Sequence, residues 1–508
     1  MKRIQARVSV ATVFCTTFLM ISRALAAPPL NVGQEEAQIT ANQATLAESQ
    51  FQKQLDQFQS STRLAANPDI PIGQRMFIDY GAYYSFNYLS ADDPSQNTHI
   101  LRDSEVGAYG TVSLDNVQTV FVRGHLSYRD YGRGDAFPGG IEEHGEHSAL
   151  DQAYYQFDLQ HYLSAYKNTN THDDMLVRIG RQTVAWGNSV AFNQNIDGGV
   201  FDFTKGALTV EAVAGITVPD TIDFDTSRPG FDDRTERGFF GAIASYQLEQ
   251  NKPFVYILSQ RDFNSQDTLI TTGNAGAIAT RFSYDSFYIG AGSAGNLNDH
   301  LLYSAELVAE GGNDLSNSFV LSGGNANAVP QTRDPIRAFA ADGKLDYVFS
   351  DSHNTRLSAE VIAATGDSDR MSTNATFGGN APHTVDHAFN GFGLLNTGVA
   401  FAPLASNVVA TRVGISSQPF NNIAAFRKLE IGGDVFMFNK WRAHAPIDEP
   451  STNGTYLGWE PDLFINWQIT SDVSFALRYG AFFPGTTISK VESDQSRQLL
   501  FTGVTIAF

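Results

Sequence analysis

The sequence predicts an all-β chain: a transmembrane antiparallel β-barrel of about 18 strands, with 16 the main competitor, preceded by a short N-terminal helix. Three observations carry that expectation. After the leader, no stretch resembles an apolar helix of about 20 residues. From Ile72 onward, segments of roughly 8 to 14 alternating residues are joined by connections that are short and long by turns. The last strand carries Leu500, Thr502, Val504, Ile506 and Phe508 on one face.

The chain opens with Lys2, Arg3 and Arg7, continues through a mostly apolar, uncharged run from Val8 to Ile21, and reaches Ala24-Leu25-Ala26. A basic start, an apolar run too short to span about 30 Å as a helix, and a small-x-small site together read as a secretory signal peptide over 1–26. Cys15, the only cysteine, lies within it, so the exported chain would have neither a disulfide nor a cysteine metal site. Residues 27–71 form a second unit. Val32, Ile39 and Leu46 are seven apart and Phe51, Leu55 and Phe58 follow at helical spacing, which suggests a periplasmic helix or coiled coil over 31–66.

Residues 72–508 make the barrel. Short connections are expected at Asp115-Asn116, Lys205-Gly206, Gln250-Asn251-Lys252, Asn298-Asp299, Asp351 to Asn354, Asn421-Asn422 and Ser471-Asp472. Long polar ones are expected at about 131–148, 187–199, 219–237, 264–276, 311–336, 366–407, 442–455 and 484–496. Tight turns on one side and large loops on the other are what a chain threading up and down through a bilayer shows. Alternation places Phe475, Leu477 and Tyr479 opposite Ser474, Ala476, Arg478 and Gly480. It also groups Leu457, Trp459, Leu463, Ile465 and Trp467 on one face. A phenylalanine closing an alternating strand is what barrel assembly machinery reads, so that machinery and the lipid bilayer are expected partners. The chain spends roughly 24 residues per strand and connection, and a barrel this large cannot be filled by wall side chains alone.

Charge narrows the function. Lys plus Arg is 34 and Asp plus Glu is 54, a net charge of −20, and the leader contributes four of the cations and no acid. Nucleic acid, which needs a basic face, is excluded as a partner. By alternation the inward cations are Arg123, Arg178, Arg281, Lys344, Arg356, Arg412 and Arg478. The inward acids are Glu306, Glu310, Glu360, Glu430, Asp434, Glu460 and Asp462. A charge facing lipid costs about 2–4 kcal/mol near the midplane, which favours these assignments. Arginine suits carboxylate transport because its fork binds a carboxylate in bidentate fashion and passes it on to the next fork. The bland alternative is that these groups pair across the wall and stiffen it. Arg181 stays ambiguous: strict alternation points it outward, but a bulge at Gly180 would re-aim it.

Acidic loops offer two weak metal motifs, Glu142-Glu143-His144-Gly145-Glu146-His147 and a calcium-like turn at Gly366-Asp367-Ser368-Asp369; no cofactor is expected beyond that. No Gly-x-Ser-x-Gly elbow, His-Glu-x-x-His pair or phosphate loop occurs, so an enzyme is not expected.

Three segments resemble the alginate-export family of outer-membrane porins. The first is Arg178-Ile179-Gly180-Arg181-Gln182 followed by Trp186-Gly187. The second is Ala364-Thr365-Gly366-Asp367-Ser368-Asp369. The third is Gly458-Trp459-Glu460-Pro461-Asp462-Leu463 with Tyr479-Gly480-Ala481-Phe482-Phe483-Pro484-Gly485. The resemblance covers about 75–508 and excludes 31–66. It implies an 18-stranded monomeric barrel in the outer membrane whose arginine-lined lumen passes an anionic polysaccharide outward, with loops as gates and periplasmic secretion partners. The strong acidity of this chain departs from that pattern. The lumen is expected to pass an anionic polysaccharide or a small acidic solute; a general or nutrient-selective porin for small-molecule diffusion is the alternative.

Overall fold

The computed structural model describes residues 30–31 and 72–508, except 133–143, 170, 172, 219–235, 265–266, 272–276, 323–324 and 371–379. The leader and the helix expected over 31–66 lie outside the described residues, apart from Asn31.

Eighteen strands close into one antiparallel barrel. In chain order they are β1 (Met76–Asp92), β2 (Thr98–Leu114), β3 (Gln118–Tyr131), β4 (His144–Asp158), β5 (Asp174–Ala185), β6 (Asn193–Lys205), β7 (Leu208–Thr217), β8 (Arg237–Tyr246) and β9 (Asn251–Asp262). They continue as β10 (Tyr284–Asn296), β11 (Leu301–Leu315), β12 (Arg333–Val348), β13 (Arg356–Ala364), β14 (Val408–Ser417), β15 (Leu429–Lys440), β16 (Tyr456–Gln468), β17 (Val473–Pro484) and β18 (Arg497–Ala507). Each pairs with its neighbours in sequence. Closure is by β1 with β18, Tyr83 opposite Ala507, and the two backbone hydrogen bonds between Ala82 and Phe508 extend that seam.

The expected turns all fall at one end of the barrel. At Asp115 and Asn116 both residues have positive φ, 54° and 61°, which is the mirror-type turn whose twist suits a tight hairpin. One connection at this turn end was not among the expected turns: it carries a helix, α1 (Leu159–Lys167), capped by Asp158 accepting from the His161 N–H. At the loop end, the connection from β1 to β2 is short, and a hairpin of 267–271 with 277–281 stands within the loop between β9 and β10.

The wall obeys the two-residue period. Leu307, Phe339, Val413, Val435 and Leu463 are exposed on the outer face, while Glu306, Ala338, Arg412, Asp434 and Asp462 on the same strands face inward. One expected grouping fails. Leu457 does not share the outer face with Trp459; Gly458 sits at φ 152° beside a register shift at Phe438/Asn439, and this bulge turns Leu457 inward into a buried apolar cluster.

Candidate functional site

The lumen is not empty. The described part of the connection between β13 and β14, 365–370 and 380–407, folds back into it and packs on two buried aromatic clusters. One is built from Trp186, Phe192, Phe239, Tyr256 and Tyr288 with Phe389 and Phe392 of the loop. The other is built from Phe436, Phe438 and Phe482 with Phe401 of the loop, Phe401 stacking on Phe482 at 4.2 Å between centroids. Leu395 and Ala405 touch both clusters, so the loop bridges them across the barrel.

Inward carboxylates hold the loops by their backbone. Glu460 accepts from the N–H groups of Val399 (2.6 Å), Ala400 (2.7 Å) and Phe401 (2.8 Å). Glu310 accepts from the Asn390 N–H at 2.9 Å and from the hydroxyls of Tyr284 and Tyr288. Glu306 accepts from the Asn188 N–H and the Tyr256 hydroxyl, which fixes the neighbouring 186–192 loop. The two loops join directly: the Phe392 N–H donates to Ala191 O, the Asn193 N–H to Phe392 O and the Leu394 N–H to Ser189 O. Gly391 and Gly393 permit this approach, since a Cβ at Gly393 would lie 1.8 Å from the Ser189 carbonyl oxygen.

Beneath the folded loop, towards the turn end, lies a cavity of about 260 Å³. Seven of the residues expected inside converge on it: Lys344, Arg356, Arg412, Arg478, Glu430, Asp434 and Asp462, with Asn396 and Val399 of the loop above them. Their states differ. Arg412 is fully engaged, donating through Nε to Glu360 at 2.7 Å and through Nη1 to Asp434 at 3.1 Å. Arg478 pairs with no carboxylate among the described residues; it donates to Asn466 Oδ1 at 2.8 Å and lies over the Phe464 ring at 5.3 Å. Lys344 has a loose contact with Asp346 at 3.5 Å. Arg356 makes no side-chain hydrogen bond or ion pair among the described residues. Glu430 accepts from Asn466 at 3.0 Å.

The other expected site residues lie elsewhere. Arg123 is buried beside Asp151 at 3.6 Å, on a different sector of the wall. Arg178 on β5 reaches Asp202 at 3.8 Å and stands over the Tyr154 ring. Arg281 is a correction: it ends the hairpin strand Ala277–Arg281 in the β9–β10 loop and is exposed, so barrel alternation does not apply to it. Glu306 and Glu460 are on the inner face, where alternation put them. Both point inward but are buried and occupied by loop amides, so neither is a carboxylate presented to a solute.

Sequence reasoning missed three buried ion pairs. Arg237 and Asp262 meet at 2.9 Å with no exposure on either side chain. Arg497 grips Glu449 through two bonds of 2.8 Å, and Arg370 pairs with Asp386 inside the folded loop. In each, at least one partner belongs to a loop or stands at a strand end, where alternation gives no partner. For the loop itself, the aromatic run Phe389-Asn390-Gly391-Phe392-Gly393 inside a polar connection was a readable signal. Asp367, in the calcium-like turn, accepts from the Asp369 and His387 N–H groups at 2.8 and 2.9 Å. Among the described residues no group of three or more His, Cys, Asp or Glu side chains is placed to hold a metal ion. Glu142 and Glu143 of the other motif lie outside the described residues.

Comparison with known proteins gives one family and one fold. The family profile described as Alginate export matches residues 89–501. Among solved structures, Pseudomonas aeruginosa OccK11 (OpdR) is similar at 10% identity and a TM-score of 0.50, covering 87% of this chain and 99% of that one. Pseudomonas aeruginosa OccK8 (OprE) is similar at 12% identity and the same score of 0.50, covering 85% and 98%. A comparison with curated protein sequences gives no match.

Proposed function

The chain belongs to the alginate-export family and forms an outer-membrane channel, and from that premise we propose that it passes an anionic exopolysaccharide or a related acidic solute through an arginine-containing lumen. The observation that supports this reading is the cavity under the loop, where Arg356 and Arg478 face the same space with no carboxylate ion pair among the described residues and Lys344 is only loosely paired. Guanidinium groups spaced along a wet wall can take a uronate carboxylate, hold it in bidentate fashion and yield it to the next, and conduction needs several weak sites of that kind. Arg412, tied to Glu360 and Asp434, holds the strands that carry the others in place.

The cavity under the folded loop, about 260 Å³, is small against a polymer, which also favours a second reading: diffusion of small solutes past a fixed constriction. Planar-bilayer recordings separate the two. Polymer export expects anion preference, block by oligouronates, and a block weakened by Arg356→Ala and Arg478→Ala. Small-solute diffusion expects the same anion preference and swelling of liposomes in small acidic sugars, with no block by longer chains. Cation selectivity with no response to uronates would overturn both. Barrel assembly machinery as the reader of the last strand, and periplasmic partners for residues 27–71, belong to the same proposal, as does a cleaved leader over 1–26.

A further inference from the structure

Arginines gather on the outer face of the wall at the loop end of β9 to β12. On β9, Leu258 and Gln260 are buried inward, so Arg261 faces out with Ile257. On β10, Tyr284 and Ser286 are buried inward, so Asp285 faces out with Phe287. On β12, Asp334, Ile336 and Ala338 are buried inward, so Arg333, Pro335, Arg337 and Phe339 face out. Register puts Gln260 opposite Ser286, Asp285 opposite Asn313 and Asn313 opposite Pro335, so the outward groups form one row across four strands. The row contains a single carboxylate. Arg333 occupies it, donating to Asp285 through Nη1 and to the Ser283 hydroxyl through Nη2, each at 3.1 Å. Arg261 reaches Asp285 only at 3.9 Å, and its side chain is 60% exposed. The exposed Arg337 side chain makes no hydrogen bond or ion pair among the described residues. The Arg281 N–H donates to Gln331 Oε1 at 3.0 Å and Gln331 Nε2 donates back to Arg281 O at 2.9 Å, which ties a further exposed arginine to the same end.

Depth places the row at the headgroups of the outer leaflet. A transmembrane strand needs about 9–11 residues to cross. Counted from the turn end, Arg261 stands ten residues along β9 and Asp285 eleven along β10, while Arg337 and Arg333 stand eleven and fifteen along β12. Two residues nearer the midplane than Asp285 and Arg337, Phe287 and Phe339 are 45% and 61% exposed. The Phe287 ring lies over Gly311, where an added Cβ would come within 2.5 Å of it. Aromatic rings beneath a row of cations form an interfacial girdle, with acyl chains below and headgroups above. Among the described wall residues, Arg102 and Arg181 are the other outward arginines. Each is matched by its own carboxylate, Asp130 at 3.2 Å and Asp197 at 2.9 Å. Outward arginines in excess of carboxylates are thus confined to β9–β12, on a chain whose net charge is −20.

We propose that this rim binds a phosphorylated glycolipid of the outer leaflet, of the lipopolysaccharide type, with Arg261 and Arg337 as its phosphate ligands. Charge complementarity names the occupant. A guanidinium fork takes two oxygens of a phosphate at once; Arg337 is open to do so, and Arg261 has only a loose contact to give up. The two stand three strand spacings apart, about 14 Å, which suits a headgroup with phosphates on separate sugars rather than a single phosphodiester. Phe287 and Phe339 meet the acyl chains just below, and the outward Ile257, Ile289 and Leu307 continue that apolar surface towards the midplane. Arg333 neutralises Asp285, so the one acid of the row does not repel the phosphates. The site continues the lipid face of the barrel and is independent of the solute the lumen passes.

The test is titration of the delipidated full chain in detergent with lipopolysaccharide, read by native mass spectrometry. One glycolipid is expected to bind each barrel. Arg261→Ala with Arg337→Ala is expected to weaken that binding at least tenfold. Arg102→Ala, at an outward arginine already matched by Asp130, is expected to bind as the parent does. Enzymatically dephosphorylated glycolipid is expected to bind the parent at least tenfold more weakly, and phosphatidylglycerol likewise. Heat-modifiable migration verifies that each variant is folded. A folded double variant that binds lipopolysaccharide as tightly as the parent would overturn the proposal. So would equal affinity for the dephosphorylated glycolipid, or phosphatidylglycerol bound as tightly as the glycolipid.

Discussion

Replacing Glu460 with alanine should unlatch the loop that fills the lumen. The carboxylate receives three backbone N–H groups at 2.6 to 2.8 Å, all from the short run Val399 to Phe401. A hydrogen bond to a charged group contributes about 1.5–3 kcal/mol net, and a donor left buried and unpaired costs about 1–3 kcal/mol. The carboxylate's own desolvation offsets part of this, so the docked loop loses on the order of 3–6 kcal/mol. At about 1.4 kcal/mol per tenfold, the undocked population rises by roughly a hundred- to ten-thousandfold. Phe401 still stacks on Phe482, and Arg497 still lies over both rings, so the loop should swing at its far part while the Phe401 end remains held. Single-channel recording reads this directly: the variant should show higher mean conductance and long open excursions absent from the parent. Glu360→Gln is the matched control, since Glu360 binds Arg412 and touches no loop amide. A Glu460→Ala barrel that is folded, by heat-modifiable migration, yet conducts with the amplitude and noise of the parent would refute the latch.

Gly393→Ala should open the same loop from its other side, because the added methyl meets the Ser189 carbonyl at 1.8 Å; liposome swelling should quicken, and an unchanged rate would count against the loop contact. Asp262→Ala strands the buried Arg237 charge and should destabilise the barrel by about 3–5 kcal/mol, read as a lower urea midpoint of tryptophan fluorescence. Asp448, in the 441–455 loop, is pushed up to about 7 by burial, with the charge of Glu449 adding to the shift. Its folded form therefore holds a proton that the unfolded chain releases near pH 4. The stability it contributes is present at low pH and is lost as pH rises from about 4 to 7. Hydrogen exchange at the Leu404 N–H, which donates to Asp448 at 3.0 Å, should be better protected at pH 5 than at pH 8 after correction for intrinsic rates. Asp448→Asn should flatten that difference.

The barrel was legible because a strand's period is two and a bilayer punishes every exception to it. Lys344, Arg356, Arg412 and Arg478 were found from parity alone, and so was the side on which the turns fall. Parity fails wherever the chain leaves the wall. Arg281 was misplaced because its hairpin alternates like a wall strand without belonging to one. Leu457 was misplaced because a bulge shifts parity by one, and the only mark in the sequence was Gly458. The role of the carboxylates that hold the folded loop was hidden for a different reason. Their partners are backbone N–H groups, which carry no residue identity, so nothing in the sequence announces that Glu306, Glu310 and Glu460 will be claimed by them.

That last point bears on the conflict between an acidic chain and an arginine-containing lumen. Composition counts every carboxylate, but a solute meets only those left unclaimed. Glu306, Glu310 and Glu460 are buried under loop amides, and Glu360 and Asp434 share Arg412. Around the cavity, Arg356 and Arg478 form no ion pair with a carboxylate among the described residues. These five acids fasten the loop and strands in place, so at the cavity Lys344, Arg356 and Arg478 are set against Glu430 and Asp462 and not against the whole acidic complement. Reversing that order is a sharp test of the reasoning. Unlatching the loop through Glu460 frees its amides, while Arg356→Glu leaves every latch intact and reverses one free charge. The first should change how wide the channel is, and the second should change which ion it prefers.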